Sequence, residues 1–502
     1  MWGYFIFLAM FRVLNCMKSI INKSGREENR LRKAILGSVW YFISSLVPAL
    51  GTFLIFSLAS RQITPHDLGM VTLALTISIT LTGLCAIGFG DALIQYQKLK
   101  EEHLNTVFCL LFFTSTLLYF ISVVVVYLLD ISTFDSFFKT IYPIIGLKII
   151  FDSCAILPLS ILTKHMNFKM IGIRTIYCAI GSICVSLPIL YFGGGAWAMV
   201  VSQLLSSLIS FFILWFSSRV KPRVKFDKYA YADLRSFGFT TTLSRLVTSV
   251  SVDNILIGFL GNATTLGIYS FSRRIFSIVS DVLSGALSNV SYPLYSSMQE
   301  KLDELKVVYM KTTFLSATIG IPSFLGLILL SPYLIPLIFG EHWIVAVVTV
   351  QYCCSIGFIS CIGSLQLSLM KGLGQTSWIL KYQLFQQLTT AAVAIIFAKS
   401  GAESVTMAIA IKTYLIWPYA VFHVSNTLNL NPFRYLFSFV KPIVSAIAMF
   451  VFFEILSRFF TPTDHEAVFI ITQIVMCAIV YIIAMLLISR KELIELKVLL
   501  KK

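Results

Sequence analysis

The sequence predicts an all-α polytopic membrane protein, and three observations lead to that class. Of its 502 residues, 57% are hydrophobic and only 12% are charged, about half the charged share of a soluble protein. Apolar runs of about 20 residues, long enough to cross the hydrocarbon core as a helix, recur from one end to the other. Lys and Arg cluster in every second loop, which is typical of cytoplasmic loops. A β-barrel would instead show short alternating segments.

About fourteen of these runs qualify as transmembrane helices. We place them at 35–59, 68–94, 105–129, 140–162, 171–192, 195–217, 235–259, 266–290, 312–331, 342–370, 376–398, 403–424, 436–459 and 467–488. With this number, about 30 of the 39 basic residues lie on one side of the membrane and about 4 on the other. Both termini are therefore predicted to be cytoplasmic. The net charge of +16 then reflects orientation and contact with lipid headgroups rather than nucleic-acid binding.

The spans divide the chain into six parts. These are a cytoplasmic or interfacial N-terminal segment (1–34), an N-lobe of spans 1–6 (35–217), a basic cytoplasmic linker (218–234), a C-lobe of spans 7–12 (235–424), spans 13 and 14 (436–488) and a basic cytoplasmic tail (489–502). The chain is thus predicted to consist of two six-helix lobes with two extra helices.

A weak internal repeat relates the two lobes. Arg61–Leu73 aligns without gaps on Phe259–Phe271, 198 residues later, and Leu68–Gly69 matches Leu266–Gly267. Each segment lies between the first two spans of its six-span block. Because six is an even number, the lobes share one orientation, and we predict a parallel pseudo-repeat about an axis along the membrane normal.

Eight charged residues fall inside predicted spans, where a charge at the bilayer centre costs about 2.5–3.5 kcal/mol. They are Lys148, Asp152, Arg245, Asp253, Arg273, Arg274, Asp281 and Lys412. Facing lipid, all eight together would cost more than the stability of a typical protein. We therefore expect these side chains to pair, to line water or to face the protein interior.

Depth in the membrane predicts two pairs among these charges. If spans 7 and 8 fold as an antiparallel hairpin, Arg245 lies level with Asp281, and Asp253 lies level with Arg273. Such pairs either hold helices together or belong to a binding site, and both interpretations stay open.

The remaining charges leave a positive surplus in the interior. Lys148 and Asp152 stand at i and i+4 on one helix, where they can pair directly, but Arg274 and Lys412 have no obvious partner. A positive surplus suits an anionic substrate, and Arg in particular binds phosphate in a bidentate manner. The five basic residues are therefore candidate substrate contacts. The three aspartates are candidates for charge pairing or for coupling to a proton or Na⁺.

The sequence shows no motif for catalysis or for a resident cofactor. It has no GxxxxGK[ST] nucleotide loop, and its ten Cys residues show no CxxC or Cys/His ligand spacing. We therefore predict no enzyme activity, no catalytic residue, no metal site and no cofactor beyond a coupling ion.

Short motifs along about residues 30–420 point to one family. They are Leu58-Ala59-Ser60-Arg61 with Leu68-Gly69, Ala92-Leu93-Ile94-Gln95, Gly195-Ala196-Trp197-Ala198, Phe237-Gly238, Asp253-Asn254 with Ile257-Gly258, Leu266-Gly267-Ile268-Tyr269, Tyr292-Pro293 and Ile338-Phe339-Gly340-Glu341-His342-Trp343. Together with the fourteen-span layout, they resemble the polysaccharide transporter branch of the multidrug/oligosaccharidyl-lipid/polysaccharide exporter superfamily. Within that branch, the chain is most similar to Wzx-type flippases of the colanic acid exporter kind.

The resemblance implies a function, a location and partners. It implies movement of an undecaprenyl-diphosphate-linked oligosaccharide repeat unit from the inner to the outer leaflet of the bacterial cytoplasmic membrane, by alternating access. The product would serve exopolysaccharide, O-antigen or capsule assembly. Implied partners are membrane lipids, the lipid-linked glycan, a polysaccharide polymerase and a chain-length regulator. Asp253 matches the family pattern, whereas Arg273-Arg274 stands where the family often has an aromatic or a single basic residue.

Two other functions compete with this interpretation. An ion-coupled exporter of small cationic drugs calls for an acidic or aromatic cavity, and the surplus charge here has the opposite sign. An integral-membrane glycan polymerase or ligase usually needs a sizeable outer loop, whereas the predicted outer loops Gly193–Gly195, Gly261–Thr265 and Lys399–Glu403 are little more than turns. The sequence therefore favours the flippase.

Overall fold

The protein is helical across the part of the chain that its structure describes. This structure, a computed structural model, describes residues 51–85, 88–128, 134–249, 251–459 and 466–490, apart from the side chains of 243–249, 284–286, 289–290, 459 and 466–469. No strand occurs in these ranges, and ten of their helices are long and apolar enough to cross a membrane. The chain is a multi-pass membrane protein, as predicted.

Helices α1–α7 cover the predicted spans 1–6. Their bounds are α1 Gly51–Ser60, α2 Pro65–Leu84, α3 Gly88–Gln95, α4 Glu101–Leu128, α5 Ser136–Lys164, α6 Phe168–Tyr191 and α7 Ala196–Ser218. Side-chain caps fix two of the starting points. Thr64 Oγ1 accepts a hydrogen bond from Asp67 N at 3.2 Å before α2, and Asp135 Oδ1 accepts one from Phe138 N at 2.7 Å before α5. Such caps satisfy backbone donors that have no partner within the helix.

Helices α8–α18 cover the predicted spans 7–14. Their bounds are α8 Lys228–Ser249, α9 Val252–Leu260, α10 Ala263–Ser280, α11 Ala286–Ser297, α12 Leu302–Phe339, α13 Val347–Gly372, α14 Thr376–Phe397, α15 Ala402–Thr427, α16 Pro432–Phe437, α17 Val440–Phe459 and α18 Glu466–Ile488. A π-helical turn, Asp281–Gly285, joins α10 to α11, and 3₁₀ turns over Glu341–Ala346 and Ala398–Ser400 precede α13 and follow α14.

The ten long apolar helices correspond to the predicted spans 2–6, 9, 10 and 12–14. The other four predicted spans fall on α1, on α8 with α9, on α10 with α11, and on α14. The total of fourteen spans and the cytoplasmic position of both termini stay predictions.

Two predicted spans are not single helices. The span predicted at 68–94 is divided between α2 and α3, because α2 ends at Leu84 and α3 restarts at Gly88. The Gly88-Phe89-Gly90 sequence is a poor helix former, which favours a break at this point. The span predicted at 235–259 is likewise divided between α8 and α9. Its many Ser and Thr side chains offer the backbone alternative hydrogen bonds, which favours an interruption of the helix.

The described chain forms two compact units. The first comprises residues 51–271 and 383–405, and the second comprises 272–382 and 406–490. In the first unit, α5, α6 and α7 pack together, and α3 packs against α8. In the second unit, α12 packs against α13 and against the pair α17 and α18.

Candidate functional site

A very close helix crossing joins α2 to α10 within the first compact unit. A Cβ atom added to Gly69 would lie 1.8 Å from the carbonyl oxygen of Ala263, and one added to Gly267 would lie 1.7 Å from that of Pro65. One turn further along, Thr72 Oγ1 donates a hydrogen bond to Ser270 Oγ at 3.2 Å. Only glycine permits such an approach, because any side chain would occupy the space of the opposite backbone.

The contacts at this crossing are reciprocal. Pro65, Gly69 and Thr72 each stand 198 residues before Ala263, Gly267 and Ser270, the offset of the predicted repeat. Each half therefore presents the same three positions to the other, as equivalent residues do around a twofold axis. This geometry supports the repeat inferred from Leu68–Gly69 and Leu266–Gly267.

A second close crossing joins α3 to α8 in the same unit. The backbone N–H of Gly88 donates to Thr242 Oγ1 at 2.9 Å, and a Cβ atom on Gly88 would lie 2.2 Å from the carbonyl oxygen of Gly238. The ring of Phe89 would lie 3.0 Å from a Cβ atom on Gly238. Of the two parts of predicted span 2, α2 therefore contacts predicted span 8, and α3 contacts predicted span 7.

Asp253 is a buried carboxylate in the first turn of α9. Its side chain accepts a hydrogen bond from Tyr269 Oη at 2.6 Å, and the two residues are 5% and 3% exposed. The N-terminal end of a helix also favours negative charge. The neighbouring Asn254 donates to Thr76 Oγ1 at 3.4 Å. Asp253 therefore links the start of α9 to α10, while its pairing with Arg273 stays a prediction.

Sequence reasoning missed Tyr269 as a partner of Asp253. The signal that could have found it is spacing, since Tyr269 stands four residues before Arg273 and shares a helix face with it. A hairpin that places Arg273 at the same membrane depth as Asp253 therefore also places Tyr269 within about one helical turn of the Asp253 carboxylate.

Replacing Tyr269 by Phe is expected to destabilise the protein. The change removes a 2.6 Å hydrogen bond to a buried carboxylate, and hydrogen bonds to charged groups contribute about 1.5–3 kcal/mol. The melting temperature of the purified protein in detergent measures the effect. Tyr127→Phe is the matched control, because the Tyr127 hydroxyl also donates one hydrogen bond, at 3.0 Å to Lys139 O, but its side chain is 55% exposed. Equal shifts of the melting temperature in the two variants would contradict a stabilising role for the hydrogen bond between Tyr269 and Asp253.

The predicted pair of Lys148 and Asp152 is present. Lys148 Nζ lies 2.9 Å from Asp152 Oδ2, and it also donates to Ser207 Oγ of α7 at 2.7 Å. The two charged side chains are 16% and 30% exposed. The spacing of four residues therefore gave the correct partner, and a contact between Lys148 and a substrate stays a prediction.

The charges of α10 and of the π turn lie at the surface of the structure. Arg273, Arg274 and Asp281 are all exposed in the structure. Arg274 was expected to have no obvious partner, and Asp281 stands seven residues further along the chain, about two helical turns away. Seven residues return a helix to about the same face, so this spacing places the two residues on one side of the helix. The predicted partner of Asp281 was Arg245, whose side chain lies outside the described part of the chain.

Lys412 is partly buried on α15 and interacts with a neighbouring group. Lys412 is therefore not isolated, and a contact between Lys412 and a substrate stays a prediction. The positive surplus predicted for the interior is thus a count of basic against acidic residues, and it does not depend on any of these side chains being isolated.

Comparison with known proteins agrees with the motifs. Residues 33–348 match the family described as "Polysaccharide biosynthesis protein". The chain is 21% identical to the lipopolysaccharide biosynthesis protein WzxC of Escherichia coli, over 75% of this chain and 77% of that protein. It is 22% identical to the succinoglycan biosynthesis transport protein ExoT of Rhizobium meliloti, over 92% of this chain and 94% of that protein. The predicted resemblance to Wzx-type proteins is therefore confirmed.

The fold is also similar to a solved structure. That structure is described as the lipid II flippase MurJ in an inward closed conformation, and the TM-score is 0.74 at 17% sequence identity. The similarity covers 91% of this chain and 99% of the solved one. It extends the fold assignment beyond the residues that the family match covers.

Proposed function

The chain belongs to the family of polysaccharide biosynthesis proteins, and from this premise we propose that it is a flippase for lipid-linked oligosaccharides. It moves an undecaprenyl-diphosphate-linked repeat unit from the inner to the outer leaflet of the bacterial cytoplasmic membrane. The observation that carries the proposal is the family match over residues 33–348. The names of the relatives, which refer to lipopolysaccharide biosynthesis, succinoglycan transport and lipid II flipping, support the substrate class.

The intramembrane cations supply the chemistry that such a substrate needs. A diphosphate carries negative charge that cannot enter hydrocarbon unaccompanied. Exposed Arg273 and Arg274 are suited to bind it in a bidentate manner, and Arg245, Lys148 and Lys412 stay candidate contacts from the sequence. The polyprenyl tail stays in the surrounding lipid, so only the polar head crosses through the protein. No bond of the substrate is made or broken, and the protein is not an enzyme.

The aspartates provide candidate sites for energy coupling. Asp253 and Asp152 each have a hydrogen-bonded or ionic partner within reach, and Asp281 stands seven residues, about two helical turns, after Arg274. A proton or Na⁺ that binds one of these carboxylates would compete with that partner. Ion binding and substrate binding would then change the same charge balance.

The two helix crossings fit alternating access. The α2–α10 crossing lies at the predicted outer ends of its helices, and the α3–α8 crossing lies towards the predicted cytoplasmic ends. Release to the outer leaflet requires the first crossing to open, and loading from the inner leaflet requires the second to open. Backbone contacts without interlocking side chains, as at Gly69 and Gly267, suit surfaces that part and close again.

Deletion of the gene is expected to trap the repeat unit in the inner leaflet. Lipid-linked oligosaccharide is extracted from the deletion strain, and its leaflet is determined with a membrane-impermeant glycan-modifying reagent. A plasmid-borne copy should restore arrival at the outer leaflet. Arrival at a normal rate in the deletion strain would overturn the proposal, and formation of new glycosidic bonds by the purified protein would indicate an enzyme instead.

A further inference from the structure

A short basic segment between α7 and α8 has a defined backbone. Residues 219–228 read Arg-Val-Lys-Pro-Arg-Val-Lys-Phe-Asp-Lys, and we name this segment the strap. It begins at Arg219, whose φ of 53° ends α7 in the left-handed region. Its five basic side chains are all exposed, whereas Val220 and Pro222 are partly buried. The alternating sequence thus exposes the basic side chains and partly buries two of the apolar ones.

The strap is fastened to α4 by two hydrogen bonds. The backbone N–H of Arg223 donates to Asn105 Oδ1 at 2.7 Å, and that of Asp227 donates to Thr106 Oγ1 at 3.0 Å. Both acceptors are buried residues of α4. The cations are therefore presented from a fixed backbone and not from a loose loop.

The single acidic residue of the strap is already engaged. Asp227 Oδ1 accepts hydrogen bonds from Tyr229 N and Ala230 N, both at 2.9 Å, and so caps the start of α8. A helix cap uses the carboxylate locally. No acidic side chain of the strap is therefore available to neutralise its cations.

An apolar groove lies beside the strap. It has a volume of about 360 Å³ and is lined by Val224 and Phe226 of the strap and by Cys109, Leu110, Phe113 and Thr114 of α4. Val224, Phe226 and Phe113 are 69%, 48% and 57% exposed. Because α4 is long and apolar enough to span a membrane, this groove leads from the basic strap onto a surface that faces lipid.

We propose that the strap and its groove form a binding site for an anionic phospholipid of the cytoplasmic leaflet. The phosphate head contacts the exposed cations, and one acyl chain lies in the groove along Leu110 and Phe113. Charge complementarity selects the occupant, because basic residues at a membrane surface attract anionic headgroups. The site is separate from the intramembrane charges assigned to transport, and it does not depend on the transported substrate.

The test titrates the full-length protein in detergent with short-chain phosphatidylglycerol and follows its melting temperature. A ligand that binds the folded state raises this temperature with concentration. The triple variant Lys221→Gln, Arg223→Gln, Lys225→Gln is expected to bind at least about tenfold more weakly, given the contribution of each cation. Phosphatidylcholine and inorganic phosphate are expected to give little shift, since the first lacks net charge and the second lacks an acyl chain.

A matched control removes the same charge elsewhere. Lys98→Gln, Lys301→Gln, Lys371→Gln neutralises three exposed lysines of other predicted cytoplasmic loops and is expected to keep wild-type affinity. Equal losses in both triple variants would overturn the site in favour of non-specific attraction. A phosphate shift equal to that of the lipid would overturn the role of the groove.

A milder variant keeps the proposal testable if the strap triple variant does not fold. Phe226→Ser leaves every cation in place and adds polarity to the groove. It is expected to weaken phosphatidylglycerol binding several-fold while the residual affinity still falls with added salt. Unchanged affinity in Phe226→Ser would contradict the acyl-chain position.

Discussion

A disulfide between Thr72→Cys and Ser270→Cys is expected to stop transport, and reduction is expected to restore it. The two native hydroxyl oxygens lie 3.2 Å apart, so paired cysteines at these positions approach the Cβ separation of a disulfide, about 3.5–4.5 Å. The bond would hold the α2–α10 crossing shut, and the predicted outer side could not open. The measurement is the outer-leaflet level of the repeat unit before and after oxidation in cells that carry only this variant.

Two kinds of control separate this outcome from general damage. Each single cysteine variant should transport normally after oxidation. Ser182→Cys with Ser202→Cys places a pair within the α6–α7 hairpin, where Ser182 Oγ donates to Ser202 O at 3.2 Å. A disulfide there stays inside one predicted lobe and should leave transport intact. Unimpaired transport by fully cross-linked Thr72→Cys/Ser270→Cys protein would show that this crossing does not open.

Gly267→Ala is expected to lower the stability of the protein by about 3 kcal/mol, in the range of severe overpacking. The added Cβ atom would lie 1.7 Å from Pro65 O, whereas real Cβ atoms essentially never come within 3.0 Å of such an atom. The two helices would therefore have to move apart. Separation would also disturb the reciprocal contact at Gly69 and the hydrogen bond of Thr72. Thermal unfolding of the purified variant in detergent measures the loss.

Gly326→Ala in α12 is the matched control. It makes the same chemical change within a long apolar helix, but the nearest atom to its new Cβ is Met449 Cε at 3.9 Å, an ordinary contact. Because alanine is the better helix former, this variant should be neutral or more stable by up to about 1 kcal/mol. Similar destabilisation of the two variants would mean that the close approach at Gly267 does not matter.

The sequence predicted features that depend on local spacing. Hydropathy and charge alternation predicted a multi-pass helical protein, and a spacing of four residues gave the Lys148–Asp152 pair. The alignment of Arg61–Leu73 with Phe259–Phe271 also anticipated which positions meet, because a repeat places equivalent residues around one axis.

Features that depend on helix rotation and on the third dimension were missed. Depth alone did not place Tyr269 beside Asp253, since depth does not say which face of a helix a residue occupies. Hydropathy likewise did not reveal the break at Cys85, because a helix with a break remains as apolar as one without. These features follow from packing, to which many distant residues contribute.

The reciprocity of the α2–α10 crossing has a consequence for the kinetics of transport. The contact of Gly69 with Ala263 and the contact of Gly267 with Pro65 share the same two rigid helices, so one contact cannot be lost while the other persists. Opening is then an all-or-none event with no stable half-open state. For the proposed flippase, this means that the barrier parts in a single step when the polar head of the substrate crosses.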